Sequence, residues 1–206
     1  TWTKSEKALE KALDEVGVDW EELDGEGAFY GPKIEYSLKD CLGRIWQCGT
    51  IQVDFNMPGR LGAEFITENN NKQTPVLLHR AIVGSLERFI GILIENYGGA
   101  LPLWLSPVQI GVASITSDHN EYTSYVIKKL EGHNFRVLGD LRNEKISYKI
   151  REFSLSKIPY MLILGEKEVK NKTINVRQRG GKDIGEISLD TFVSQIENEV
   201  KSMTST

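Results

Sequence analysis

No run of apolar residues in this chain approaches the roughly eighteen that a membrane-spanning helix needs. The opening Thr1-Trp2-Thr3-Lys4-Ser5-Glu6 also lacks the apolar core of a secretory signal. Cysteine is scarce. Cys41 and Cys48 are too few for a disulfide scaffold, and their spacing of seven is not that of a zinc knuckle. Each reads as a buried strand thiol in a reducing, cytoplasmic compartment. There is no internal repeat, and Asn69-Asn70-Asn71 is the one low-complexity run. A spanning helix is thereby excluded, and a disulfide scaffold is disfavoured. What is present is 206 residues, 40% hydrophobic and 26% charged, enough for one large domain or two modest ones with a core in each.

Charge is unevenly distributed. Residues 1–100 carry 10 basic against 16 acidic side chains, whereas residues 142–182 carry 11 basic against 4 acidic. A basic stretch in an otherwise acidic chain points to an anionic partner or, equally, to a solvated surface.

Hydrophobic spacing predicts a helix over 4–16, with Ala8, Leu9, Ala12, Leu13 and Val16 on one face and Gly17 as its stop. Strands over 33–38 and 44–55 flank a turn at Asp40–Gly43. Pro58-Gly59 interrupts, 63–67 resumes the strand, and 68–73 makes a polar hairpin tip. A strand over 76–83 then feeds a helix from Ser85 to Tyr97, giving an antiparallel sheet with a helix packed across it. Gly98-Gly99-Ala100-Leu101-Pro102 and Ser106-Pro107 mark a boundary, so the expected domains are 1–100 and 101–206. Beyond it, strands over 108–115, 135–138, 160–164 and 173–178 mix with helices over 119–132, 144–155 and 188–203, with a polar pause at 166–172. This implies an α/β layer on a mostly parallel sheet, after an α+β first half.

The run from His79 to Leu93 places a histidine, a glutamate and an arginine where core residues would suffice. Gly84-Ser85 sits where strand passes to helix, and Leu86, Phe89, Ile90 and Leu93 keep helical spacing around Glu87-Arg88. Arg88 at the mouth of that helix could pair with phosphate or carboxylate, or make only a structural ion pair. His79 could be a satisfied strand residue or a metal ligand. Thr50 and Gln52 share one strand face, and Tyr30 and Lys33 lie in a Tyr-Gly-Pro-Lys turn.

The run His79–Leu93 resembles motif 3 of the class II aminoacyl-tRNA synthetases, in the form that begins with histidine in the threonyl-tRNA synthetase family. Gly25-Glu26-Gly27-Ala28-Phe29-Tyr30-Gly31-Pro32-Lys33-Ile34-Glu35 and Trp46-Gln47-Cys48-Gly49-Thr50-Ile51-Gln52-Val53-Asp54-Phe55 resemble the same catalytic domain. The likeness continues through Leu141-Arg142-Asn143-Glu144-Lys145 into the family's anticodon-binding domain. It implies threonine-tRNA ligase activity, which activates threonine with ATP and Mg2+ and charges tRNA(Thr). It implies substrate contacts at Tyr30, Lys33, Gln47, Thr50 and Gln52, and ATP contacts at Gln47, Thr50, Ser85 and Arg88. His79 would be one ligand of a Zn2+ whose other ligands lie upstream in the family, and neither Cys41 nor Cys48 matches them. Apart from the resemblance, Asp54 could orient neighbouring groups, and no further role is assigned to it. Asn143, Glu168 and Arg177 would read the anticodon, while Lys145, Lys149, Arg151 and Arg179 would hold phosphates. Asn143 could alternatively cap the following helix, and Glu168 and Arg177 could be a surface pair. Nothing before Gly25 resembles motif 2, and motif 1 and the editing domain are also unmatched, so this chain is expected to be inactive alone. The parent is expected to be a cytoplasmic homodimer, with no DNA or membrane partner. The alternative is a non-catalytic RNA-binding module with a synthetase-like fold.

Overall fold

The computed structural model describes residues 2–203 and divides into two compact units that meet in sequence at Asn96/Tyr97. In the first, α1 (Trp2–Val16) ends where the Gly17 N–H bonds to the Leu13 carbonyl at 3.0 Å. β1 (Lys33–Lys39), β2 (Ile45–Asp54) and β5 (Leu77–Ala81) form an antiparallel sheet in the order β1-β2-β5. Asp40 builds the β1–β2 turn. Its Oδ1 accepts the N–H groups of Leu42 at 2.9 Å and Arg44 at 2.8 Å, and its Oδ2 accepts the Trp46 indole at 2.8 Å. Pro58 sits inside a single turn, α2 (Met57–Arg60). The resumed strand and the polar tip form a separate small ribbon, β3 (Phe65–Ile66) with β4 (Lys72–Gln73). α3 (Leu86–Tyr97) follows β5.

The second unit holds β6 (Ile110–Ser114), α4 (Asn120–Gly132), β7 (Val137–Asp140), α5 (Ile146–Leu155), β8 (Tyr160–Leu164), α6 (Glu166–Asn171), β9 (Thr173–Gln178), β10 (Lys182–Ser188) and α7 (Leu189–Ser202). β6 and β8, wholly buried, are short apolar runs of the kind a two-sided sheet requires. α4 and α7 cover one face through Val126, Leu130, Phe192 and Ile196, and α5 covers the other through Phe153 and Ile150. Ser188 caps α7 by accepting the Thr191 N–H at 3.1 Å. No helix among the described residues is long and apolar enough to cross a membrane.

Three expectations need correction. The sheet order is β10-β9-β8-β6-β7, and only β6–β7 and β6–β8 are parallel; β8–β9 and β9–β10 are antiparallel, so the sheet is mixed rather than mostly parallel. β10 is also absent from the sequence reading, because a register shift near Gly185 breaks its alternation. Gly180 and Gly181, at φ +88° and +86°, take the left-handed backbone that turns β9 into it. Residues 166–171 are also not a pause but the short helix α6.

Glu186 ties these unforeseen elements together, accepting from Thr173 Oγ1 at 2.6 Å and Asn171 Nδ2 at 2.9 Å and pairing with Lys167 at 2.5 Å. Asn171, Lys167 and Thr173 hold its carboxyl down at about 2. A folded value below the unfolded one stabilises fully above the ordinary glutamate range, and that gain is lost as pH falls through the folded value. Urea unfolding between pH 5 and 2 should therefore show a shallower loss of stability with acid in Glu186→Gln than in the wild type, together with lower stability at pH 7.

Candidate functional site

In a sheet, residues directly opposite each other share a face. The registers Lys33↔Gln52, Glu35↔Thr50 and Gln52↔His79 therefore put Lys33, Glu35, Thr50, Gln52, Asp54 and His79 on one face. Strict alternation along β2 would send Gln47 to the opposite face from Thr50. The register instead jumps, with Tyr36 opposite Gly49 and Ser37 opposite Gln47, leaving Cys48 unopposed. This bulge shifts the parity and returns Gln47 to the polar face.

On that face the Tyr30 hydroxyl donates to Gln52 Oε1 at 3.0 Å, and Asp54 Oδ2 meets His79 Nε2 at 2.8 Å. Phe29, Tyr30, Gln52, Asp54, Met57 and His79 line a cavity of about 240 Å³. Burial pushes the Asp54 carboxyl up, but the Met57 N–H, the His79 ring and the Asn56 N–H outweigh it and hold it below the ordinary carboxylate range. Lys33 is paired with Glu35 at 2.7 Å, and Glu35 Oε1 also accepts from Ser37 at 2.9 Å.

Arg88 lies elsewhere. Its guanidinium sits 5.2 Å over the Trp46 ring, with Arg44 at 5.4 Å from the same ring, and Nη1 donates to the Gln47 carbonyl at 3.2 Å. With Asp40, Glu87 and Glu95 these residues line a second cleft of about 320 Å³. The structure thus gathers Tyr30, Gln52 and His79 in one place, while Arg88 meets the backbone of Gln47 and the hydroxyl of Ser85. The Ser85 hydroxyl accepts the Arg88 N–H at 3.3 Å and donates to Glu87 at 2.8 Å, which starts α3. Gly84 is required at this junction: its φ is +66°, and a Cβ there would stand 2.5 Å from the Cys48 carbonyl oxygen.

His79 fits a zinc ligand, since its other ring nitrogen is bonded to a buried carboxylate, the arrangement that orients such histidines. The remaining ligands are not supplied here. The described residues hold no group of three or more His, Cys, Asp or Glu side chains placed to hold a metal ion; Cys48 is buried as expected, whereas Cys41, expected to be buried, is exposed and contacts Glu95.

In the second unit β6 lies between β7 and β8, and the chain passes to one side and then crosses to the other. The carboxyl ends of these strands flank a switch point, where open α/β sheets bind ligands. Asn143 follows β7 and is exposed. It does not cap α5, whose N-cap is Lys145. Glu168 follows β8 and is buried, its Oε2 accepting the Gly165 N–H at 2.9 Å, which is the carboxylate half of a capping box. Arg177 stands apart on β9, opposite Met161 near the start of β8, and pairs with Asp183 at 4.0 Å rather than with Glu168.

Two expected phosphate contacts are corrected as well. Lys149 is fully buried; its Nζ donates to the Ser114 carbonyl at 3.0 Å and the Asp140 carbonyl at 3.2 Å, with Asp140 Oδ1 at 3.8 Å. Asp140 also accepts Arg142 through its N–H, Nε and Nη2, and Arg142 reaches on to Glu152. Arg179 donates to the carbonyls of Leu101 at 2.8 Å and Lys157 at 3.0 Å. Lys145 and Arg151 remain exposed. Asp140, Lys149 and Asp54 are the residues whose roles the sequence reading missed or left open. Their signal was weak: a carboxylate two residues before an arginine, and a lysine on the apolar side of a helix.

Comparison with known proteins follows this division. Residues 2–97 match the tRNA synthetase class II core domain (G, H, P, S and T), and residues 108–199 match the anticodon binding domain family. The chain is 58% identical over 97% of its length to a threonine–tRNA ligase of Marinobacter nauticus, and 57% over 98% to one of Saccharophagus degradans. It spans only 31% and 32% of those two relatives. The solved RNA binding domain of threonyl-tRNA synthetase from Cryptosporidium parvum superposes with a TM-score of 0.86 at 40% identity, over 96% of this chain and 50% of that one.

Replacing Lys149 with methionine keeps the length of the side chain but leaves Asp140 and two strand-end carbonyls without their donor. Breaking a buried pair from one side should cost about 3 kcal/mol. Urea unfolding followed by the circular dichroism of the second unit should report the loss.

Proposed function

The chain belongs to the threonyl-tRNA synthetase family, and we propose that it supplies such a ligase with the floor of its threonine- and ATP-binding site and with its anticodon reader. The observation that carries this reading is the 58% identity to a threonine–tRNA ligase along nearly the whole chain. In the first unit Tyr30 and Gln52 would orient the amine and hydroxyl of threonine. His79 would be one zinc ligand, completed by groups outside the described residues; such an ion supplies a Lewis acid for a hydroxyl-bearing substrate. Gln47, Thr50 and Lys33 would face the ribose and phosphates of ATP with its Mg2+. Arg88 and Ser85 would join them at the nucleotide if the guanidinium leaves Trp46.

In the second unit Asn143 and Arg177 would hydrogen-bond the edges of unstacked anticodon bases, the usual basis of sequence-specific RNA reading. Glu168 would take part through the oxygen not used at Gly165. Exposed Lys145 and Arg151 would neutralise phosphates and carry no sequence information. The whole ligase would act as a cytoplasmic homodimer.

The test is binding of this chain to a tRNA(Thr) transcript and to anticodon-swapped versions at two salt concentrations. Affinity should fall when the anticodon bases change, and Asn143→Ala or Arg177→Ala should each reduce that discrimination about fivefold, as expected for the loss of one hydrogen-bonding group. Binding that follows salt but ignores the anticodon would overturn the assignment.

A further inference from the structure

Asp54 is among the most deeply buried charged groups of the first unit, at 1% exposure, yet no substrate contact has been assigned to it. Its two oxygens have separate duties. Oδ1 accepts the backbone N–H groups of Asn56 at 2.8 Å and Met57 at 3.0 Å, which clamps the carboxylate at the mouth of α2. Oδ2 is left for His79 Nε2 at 2.8 Å. An ionised carboxylate can only accept, so the ring proton at this contact must be on Nε2. A neutral imidazole with Nε2–H carries its lone pair on Nδ1, and Nδ1 makes no hydrogen bond with any described residue. The ring itself lines the cavity that Tyr30 and Gln52 also face, and its side chain is 44% exposed.

We propose that Asp54 is a positioning residue that holds His79 as the Nε2–H tautomer, so that the ring offers an unprotonated Nδ1 to a divalent cation of the zinc class in the Tyr30–Gln52 cavity. The tautomer rests on this geometry alone, while the identity of the cation rests on the function proposed above.

Asp54→Asn separates the two duties of the side chain. The amide oxygen can keep the Asn56 and Met57 N–H groups, which turns the NH2 toward His79. An NH2 donates, so Nε2 must become the acceptor and the ring proton must move to Nδ1, where it blocks a cation. The overall shape is unchanged and only the tautomer reverses.

The chain has three histidines, His79, His119 and His133, so long-range 1H–15N spectra at pH 7.5 can be assigned by single substitutions. The wild type should show His79 with Nε2 protonated and Nδ1 unprotonated, and Asp54→Asn should show the reverse with an unchanged far-UV spectrum. Added zinc chloride should shift Nδ1 of His79 in the wild type at concentrations at least tenfold lower than in Asp54→Asn. A wild-type His79 protonated on Nδ1 would overturn the inference without need of any variant, as would a tautomer indifferent to Asp54→Asn. The expected tautomers without a zinc response would support the positioning role and overturn the cation, and with it the part given to His79 in the proposed function.

Discussion

A buried carboxylate that accepts backbone N–H groups beside the end of a strand is the interaction on which both units depend. Asp40, Asp54, Asp140 and Glu168 are the buried acidic side chains among the described residues, and all four bond to main-chain N–H. Burying a carboxylate is strongly unfavourable unless its lone pairs are taken, so each site must supply donors from the chain that follows or precedes it. Those donors are the N–H groups a strand end or helix start would otherwise leave orphaned. One contact thus solves two problems and fixes the path of the loop. In three of the four the second oxygen also holds a side chain: Arg44 and Trp46 on Asp40, His79 on Asp54, Arg142 on Asp140. The guanidinium of Arg142 draws the Asp140 carboxyl below the ordinary range despite its burial.

The same device explains where candidate site residues stand. Asp40 places Trp46 under the guanidinium of Arg88, and Asp54 turns His79 toward Tyr30 and Gln52. Between them the bulge at Cys48 brings Gln47 onto the polar face and presents a carbonyl so close to Gly84 that no side chain fits there. The turn from β5 into α3, and so the placing of Arg88, follows from that approach. Arg88 is held by a ring and a carbonyl and takes part in no buried ion pair among the described residues.

Much of this was legible in the sequence where a single physical rule dominates. The boundaries of β8 and β9 follow from apolar runs and turn residues, and α3 and α7 from apolar spacing with a serine at the mouth of each. What escaped depends on partners distant in sequence. α6 spans six residues, too few for helical periodicity, and its mark is the return of the Glu168 carboxylate to the Gly165 N–H. β10 loses its alternation where the register slips, and the bulge in β2 is visible only once Tyr36 and Ser37 are set against it. Lys149 was read as a surface charge because lysine is almost never fully buried unless paired, and its partners are two carbonyls and a carboxylate on other elements.

Lys149 also changes the meaning of the basic stretch. Of the basic side chains between 142 and 182, Arg142 and Lys149 serve the Asp140 network, and Arg179 and Lys157 hold backbone carbonyls. Lys167 pairs with Glu186, Arg177 with Asp183, and Lys172 lies 5.1 Å over the Tyr122 ring. Lys145, Arg151, Lys170 and Lys182 are left exposed and without a partner among the described residues. A count of charges therefore overstates the field that this region turns outward. Under the proposed function, so few cations for phosphate would let counterion release supply only a modest part of the affinity for RNA, each contact to a single strand contributing a salt slope of about 0.7. Recognition would then lean on directed hydrogen bonds to base edges, the part proposed above for Asn143 and Arg177.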